Sequence, residues 1–281
     1  MKKRTKLLSV CASIVLLLMC FPLANVSAAQ TSYPSIPISL EGERILDSEA
    51  LLINSITYVP LRKLSDSTVN CDITWNDATK TATVSYDGIT VSVKVGAKYI
   101  TANGRYFYTV GKVLNLNGSL YVPIRPLARA LGLEVTWDNA TRSVNLTRSN
   151  TSLISGSSFY RSDEVYWLSR IIEAEAGSEP FEGKIAVGNV VLNRVDSPLY
   201  PNTIYQVIFD FKHGIQFTPA YTGTIYNNPR AESIIAAKVC LEGYEIVPGV
   251  LFFFNPRIAT SSWIAQNRPF AMTIGNHDFY Y

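Results

Sequence analysis

Residues 163–195 read DEVYWLSRIIEAEAGSEPFEGKIAVGNVVLNRV, two apolar segments separated by a short break. Val165, Leu168, Ile172 and Ala176 recur at the three- and four-residue spacing of one buried helix face. Glu175 lies three residues after Ile172 and seven after Leu168, so it sits on or beside that face in the last turn. Gly177 follows, where a left-handed residue commonly closes a helix. Ser178 suits the N-cap of a second helix with Pro180 in its first turn.

A carboxylate on an apolar face is partly desolvated, and the negative end of the helix acts in the same direction, so Glu175 is expected to favour its neutral form. Glu179 begins the second helix, where the positive dipole end favours the anion. Two carboxylates with their pKa values pushed apart suit a general acid and its electrostatic support. The same spacing also fits a Glu175 that merely ends an amphipathic helix and a Glu179 that is only an N-terminal helix charge. The second segment, KIAVGNVVLNRV, is apolar nearly all round and belongs at the centre of a core. Gly183 and Gly188 allow close helix approach there, and Asn193 and Arg194 hold the helix end or reach a ligand.

Further along, HGIQFTPAYTGTIYNNP at 213–229 is aromatic and polar without a clean period, the pattern of a functional loop or a surface excursion. Gln216, Phe217 and Tyr221 combine aromatic faces with amide groups, as a saccharide groove does. A helix is expected over 230–241, closed by Gly243. An apolar extended segment covers 250–254, and Asn255-Pro256 turns away from it. Trp263 and the ending GNHDFYY complete the chain. His277 beside Asp278 reads as an acid/base pair or as a histidine bonded to backbone.

Upstream, Tyr58-Val59-Pro60-Leu61-Arg62 recurs as Tyr121-Val122-Pro123-Ile124-Arg125. The tails CDITWNDATKTATVS and LEVTWDNATRSVNLT also match, aligning Trp75 with Trp137, as a duplicated strand-helix-strand unit would. Strands are expected at 81–85, 89–95, 99–102 and 143–146, with hairpin turns at Asn76-Asp77 and Asp138-Asn139. Arg62 and Arg125 are read as bonding turn carbonyls in preference to contacting a ligand, and the two tryptophans as core in preference to sugar platforms. Residues 148–161, RSNTSLISGSSFYR, have the composition of a linker.

At the start, Lys2, Lys3, Arg4 and Lys6 precede an apolar run from Leu7 to Leu23 and the small residues Val26-Ser27-Ala28, which together read as a secretory signal over 1–28. Its removal leaves 21 basic against 22 acidic residues, which does not suit a nucleic-acid binder. Cys71 and Cys240 fall in different halves, so no disulfide framework is indicated. His213 and His277 with a carboxylate leave a two-histidine metal site conceivable.

Residues 35–147 resemble the copper amine oxidase N-terminal-like domain, an accessory module of secreted bacterial proteins, although the stretch has no histidine. The ordered motifs RIIEAEAGSEPFEGKIAVGNVVLNRV, QFTPA, FFFNP, Trp263 and IGNHDFY resemble the SleB/CwlJ-type cell-wall hydrolases, which include spore cortex-lytic enzymes. Many relatives have Gly immediately before the second glutamate, where Ser178 stands here. The resemblance implies a two-domain chain: an α+β accessory domain at 35–147, a linker at 148–162, and a mainly helical, lysozyme-like and lytic transglycosylase-like catalytic domain at 163–281. It implies Glu175 as the catalytic residue, with Glu179 in a supporting role and Gln216, Phe217, Asn255, Trp263 and His277 as glycan contacts. The expected activity is cleavage of the β-1,4 bond between N-acetylmuramic acid and N-acetylglucosamine in peptidoglycan, with no cofactor or metal, outside the cell in wall or spore cortex. A zinc amidase using His213 and His277, and a non-catalytic wall-binding protein, are the alternatives.

Overall fold

The computed structural model describes residues 33–212 and 214–281; the signal at 1–28 and His213 lie outside them. The chain has a strand-rich N-terminal domain followed by a helical C-terminal domain. The first begins with β1 (Ile38–Leu40), β2 (Glu43–Leu46), β3 (Leu51–Ile53), β4 (Ile56–Pro60), α1 (Leu61–Thr68) and β5 (Asp72–Asn76). It continues with β6 (Thr81–Tyr86), β7 (Ile89–Lys94), β8 (Tyr99–Ala102), β9 (Arg105–Tyr108), β10 (Leu114–Leu116), β11 (Ser119–Pro123), α2 (Ile124–Ala130), β12 (Leu133–Asp138) and β13 (Ser143–Arg148).

The two Tyr-Val-Pro motifs end β4 and β11, and each proline leads straight into a helix. Proline suits both places, since it needs no amide partner where a helix begins. The two strands pair antiparallel, with Val59 opposite Val122 at the centre of the sheet β10-β11-β4-β3. The hairpin after each helix opens a different sheet: β5 edges the meander β5-β6-β7-β8-β9, and β12 edges β12-β13-β1-β2. These edge positions explain a correction. Trp75 and Trp137 point outward from edge strands and are 46% and 41% exposed, instead of filling the core. Arg62 and Arg125 are exposed too, and neither bonds a turn carbonyl among the described residues.

Residues 148–162 do not form a bare spacer. They include α3 (Gly156–Phe159), whose first residue lies so close to Gly104 that a Cβ at Gly156 would come within 2.4 Å of the Gly104 carbonyl oxygen. The helical domain follows: α4 (Ser162–Ala176), α5 (Phe181–Asp196), α6 (Ile204–Ile208), α7 (Thr218–Thr222), α8 (Ala231–Leu241), β14 (Phe252–Phe254), α9 (Trp263–Asn267), β15 (Phe270–Ile274) and β16 (His277–Tyr280). α5 is the central element, buried continuously from Gly183 to Val191 between α4 and α8. Side chains are excluded at Gly188, where a Cβ would meet Cys240 Sγ at 2.6 Å and Ile172 Cδ1 at 2.9 Å.

The two domains share a polar, largely buried seam. Glu242, after α8, accepts two bonds from Arg105 at 2.8 and 2.7 Å, one from Arg129 at 3.0 Å and one from the Tyr160 hydroxyl at 2.7 Å. A second cluster joins Glu182 to Lys98 and to the Tyr108 hydroxyl. Tyr108, at the end of β9, also packs within the helical core and meets Tyr244 at 4.4 Å between ring centres. Among the described residues no helix is long and apolar enough to cross a membrane.

Candidate active site

The break between α4 and α5 is built differently from its sequence reading. Gly177 is right-handed, with φ −56° and ψ −33°. Glycine is needed there because a Cβ would sit 2.5 Å from the Glu173 carbonyl oxygen and 2.7 Å from Arg230 Nη2, which donates to the Gly177 carbonyl. Arg230 thus satisfies a carbonyl at the helix end that a left-handed cap would otherwise serve. α5 begins at Phe181 with Pro180 as its N-cap, so Ser178 and Glu179 belong to the connection.

Glu173 and Glu175 lie two residues apart on α4 and have opposite surroundings. Glu173 accepts from Arg230 Nε at 2.7 Å and from the Ser233 hydroxyl at 2.6 Å. Burial works against its charge, but these bonds win and hold the carboxyl below its usual range. Glu175 has no hydrogen-bond partner among the described residues. Burial pushes its carboxyl up to about 7, against a smaller opposing pull from the Arg194 charge.

Glu175 opens on a cleft of about 920 Å³ between α4, the end of α5, the 199–218 segment and the β14–α9 segment. Arg194 lies on its wall, although it is itself buried. Its Nε donates to the Leu251 carbonyl at 2.8 Å, its guanidinium lies 5.0 to 5.6 Å from the ring centres of Tyr200, Phe217 and Phe252, and its Nη1 is buried without a partner. Burial lowers the Arg194 pKa, and the nearby carboxylates of Asp210 and Glu175 oppose that shift. Asn193 donates to the Val250 carbonyl at 3.0 Å, so the end of α5 fastens the strand beside the cleft.

The cleft brings together Glu175, Gln216, Asn255, Trp263 and His277. Trp263 is half exposed, with the Arg268 guanidinium 5.3 Å from its ring centre. His277 is buried against Phe253, and its Nδ1 has no partner. Burial drives its pKa down in spite of Glu179 and Asp278, which keeps the imidazole neutral near pH 7.

Three expected site residues are not in the cleft lining. Phe217 is only 2% exposed and packs between Arg194 and Phe253, because the loop folds its aromatic side chain inward. It supports the arginine and presents no face to a ligand. Tyr221, by contrast, is exposed outside the lining. Glu179 is buried beneath the β15–β16 turn. It accepts from the Asn276 amide at 2.8 Å and from Asn276 Nδ2 at 2.9 Å. Burial raises its pKa, but the two Asn276 bonds, with a smaller pull from the Lys184 charge, outweigh burial and leave it an anion. The turn closes over it through Gly275 at φ +60°, where a Cβ would lie 2.0 Å from Glu179 Oε2. Glu179 therefore positions the residue before His277 and is not a second acid at the cleft. Sequence reasoning left Arg194 undecided and missed Tyr200, Asp210 and Arg268. Arg194 carried a signal, as a cation in the last turn of a helix that is apolar nearly all round.

Comparison with known proteins places these two halves. Residues 178–280 match the Cell Wall Hydrolase family, and residues 39–146 match the Copper amine oxidase N-terminal domain. The chain thus carries a cell wall hydrolase domain behind a copper amine oxidase N-terminal-like domain. Its relatives include the spore cortex-lytic enzymes of Bacillus subtilis (strain 168), 36% identical over 120 residues, and Oceanobacillus iheyensis, 35% identical over 120 residues. Each alignment spans 43% of this chain but only 38% and 42% of those relatives. A solved structure of the catalytic domain of the germination-specific lytic transglycosylase SleB from Bacillus anthracis is 33% identical; it is covered completely by 46% of this chain, with a TM-score of 0.41. The SleB catalytic domain of Bacillus cereus is 34% identical over 43% of this chain and 92% of its own, with a TM-score of 0.39.

Proposed function

We propose that this chain is a secreted peptidoglycan glycosidase that cleaves the β-1,4 bond between N-acetylmuramic acid and N-acetylglucosamine as a lytic transglycosylase, acting on spore cortex. The catalytic domain spans 163–281 and is lysozyme-like, and the accessory domain spans 35–147. The observation that carries the reading is Glu175: a carboxyl pushed up to about 7, without a hydrogen-bond partner among the described residues, on the wall of a cleft of about 920 Å³. The names of the spore cortex-lytic relatives support the substrate class.

In this mechanism neutral Glu175 donates its proton to the glycosidic oxygen as the bond from that oxygen to the muramic C1 breaks. The C6 hydroxyl of the same muramic residue attacks C1, and the Glu175 carboxylate accepts the proton that hydroxyl releases. The products are a free 4-hydroxyl on the leaving sugar and a 1,6-anhydromuramic end, and no water is consumed. An internal nucleophile makes a second catalytic carboxylate unnecessary, unlike the paired carboxylates of ordinary glycosidases. Arg194 stabilises the Glu175 carboxylate between the two proton transfers. Gln216, Asn255, Trp263 and His277 hold the sugars, with His277 neutral.

Glu175→Gln keeps the shape of the site and removes the acid. Clearing of purified cortex by the variant is expected to fall at least about 10²- to 10⁴-fold. Clearing at the parent rate would refute the assignment.

A further inference from the structure

The recurring motif of the N-terminal domain builds the same groove twice. One groove, of about 430 Å³, is lined by Pro60, Arg62, Ile73 and Trp75 from the first copy and by the hairpin Gly118–Tyr121 of the second. The other, of about 470 Å³, is lined by Pro123, Arg125, Val135 and Trp137 from the second copy and by the hairpin residues 55–57 of the first. Every element has its counterpart in the aligned sequences, and the antiparallel pairing of β4 with β11 makes each copy complete the other's groove.

The lining has the chemistry of a sugar site. Each tryptophan is more than 40% exposed on an edge strand, which leaves a flat aromatic surface uncovered. Proline and a β-branched residue beside it extend the apolar surface against which the C–H face of a pyranose lies. Arg62 and Arg125 are exposed at the groove, and among the described residues neither has a hydrogen-bond or ion-pair partner. The first groove's other charges, Lys63 and Glu49, neutralise each other at 2.7 Å. The second groove adds Arg142 and has no acidic residue in its lining. Each groove therefore offers net positive charge, and an arginine has five donors for hydroxyl, acetamido and carboxylate oxygens.

We infer that these are two equivalent binding sites for the carboxylate-bearing glycan of peptidoglycan, engaged together along the wall. Each tryptophan stacks on a sugar ring, and each arginine pairs with a stem-peptide carboxylate. Two weak sites on one rigid domain raise retention on a polymeric wall well above that of either site alone. The inference rests on the peptidoglycan reading of the catalytic domain, but it concerns residues that reading does not use.

The test is sedimentation of the full chain with insoluble peptidoglycan freed of teichoic acid by acid extraction, in the Glu175→Gln background so that the polymer stays intact. The parent is expected to co-sediment. Trp75→Ala with Trp137→Ala is expected to weaken retention roughly tenfold or more, and either single change to weaken it less. In the Glu175 background, the paired change is expected to leave turnover of short soluble glycan fragments unchanged. Arg62→Gln with Arg125→Gln gives an independent loss from residues that are fully at the surface, should the tryptophan pair disturb folding. Retention undiminished in both paired variants overturns the inference while leaving the catalytic reading intact. A chain that sediments through these residues but releases no product from any wall overturns the catalytic reading and leaves the grooves standing.

Discussion

Glu175→Gln should stabilise the protein as well as disable it, and the size of the gain should depend on pH. The Glu175 carboxyl moves from its ordinary 4.5 to about 7 on folding. Its folded pKa is raised, so its favourable contribution is complete below 4.5 and is lost as pH rises through 7. A shift of that size corresponds to about 3 kcal/mol at 1.36 kcal/mol per pKa unit. Glutamine does not titrate and does not incur that cost. Wild type and Glu175→Gln should thus differ least near pH 4, with the gap opening in favour of the variant by about 2 kcal/mol at pH 6 and about 3 kcal/mol at pH 8. For a chain of this size the larger figure corresponds to roughly 6–12 °C in melting temperature. Thermal unfolding followed by circular dichroism at several pH values from 4 to 8 measures it, since other titrating groups are common to both proteins. A difference that stays flat across this range would refute the claim that Glu175 is held neutral by burial.

Three further outcomes follow from the same geometry. Arg194→Gln removes the charge that opposes the upward shift of Glu175, so the alkaline limb of the activity profile should move to higher pH while activity falls; an unmoved limb contradicts the coupling. Glu179→Gln loses a charge-assisted bond under the β15–β16 turn and should cost about 1.5–3 kcal/mol in denaturant unfolding, and adding Asn276→Ala should cost little more; full additivity would separate the two residues. Glu242→Ala strips Arg105 of its bidentate partner in the seam between the domains and should destabilise by about 3–5 kcal/mol, whereas a cost below about 1 kcal/mol would mean the seam is not structurally important.

Much of this organisation is legible in residue spacing. The i, i+3, i+4 pattern of Leu168 and Ile172 places Glu175 beside a buried face, and the nearly continuous apolar run from Gly183 to Val191 places α5 at the core. The repeated Tyr-Val-Pro motifs mark the two strand-to-helix junctions. What spacing conceals is what lies opposite each side chain. Gly177 looks like a left-handed cap, but it is right-handed and is required for room beside the Glu173 carbonyl and Arg230. Glu173 and Glu175 have the same chemistry in sequence, and Arg230 and Ser233, some 60 positions away, hold Glu173 as the anion while Glu175 is left to burial. Alternation in β5 and β12 suggests buried tryptophans, but strand order puts both strands at sheet edges and exposes them. Phe217 fails in the opposite sense, since the loop that carries it folds inward over Arg194. Non-local pairing decided each of these cases, and local periodicity carries no information about it.

The central claim is that a single desolvated glutamate cleaves the glycan with the sugar's own C6 hydroxyl as nucleophile. Mass spectrometry of the fragments released from purified spore cortex tests it most directly. Muropeptides ending in 1,6-anhydromuramic acid are expected, each lighter than its hydrolysed counterpart by one water, and none from Glu175→Gln. Reducing-end sugars, or free stem peptides with the glycan uncut, would contradict it.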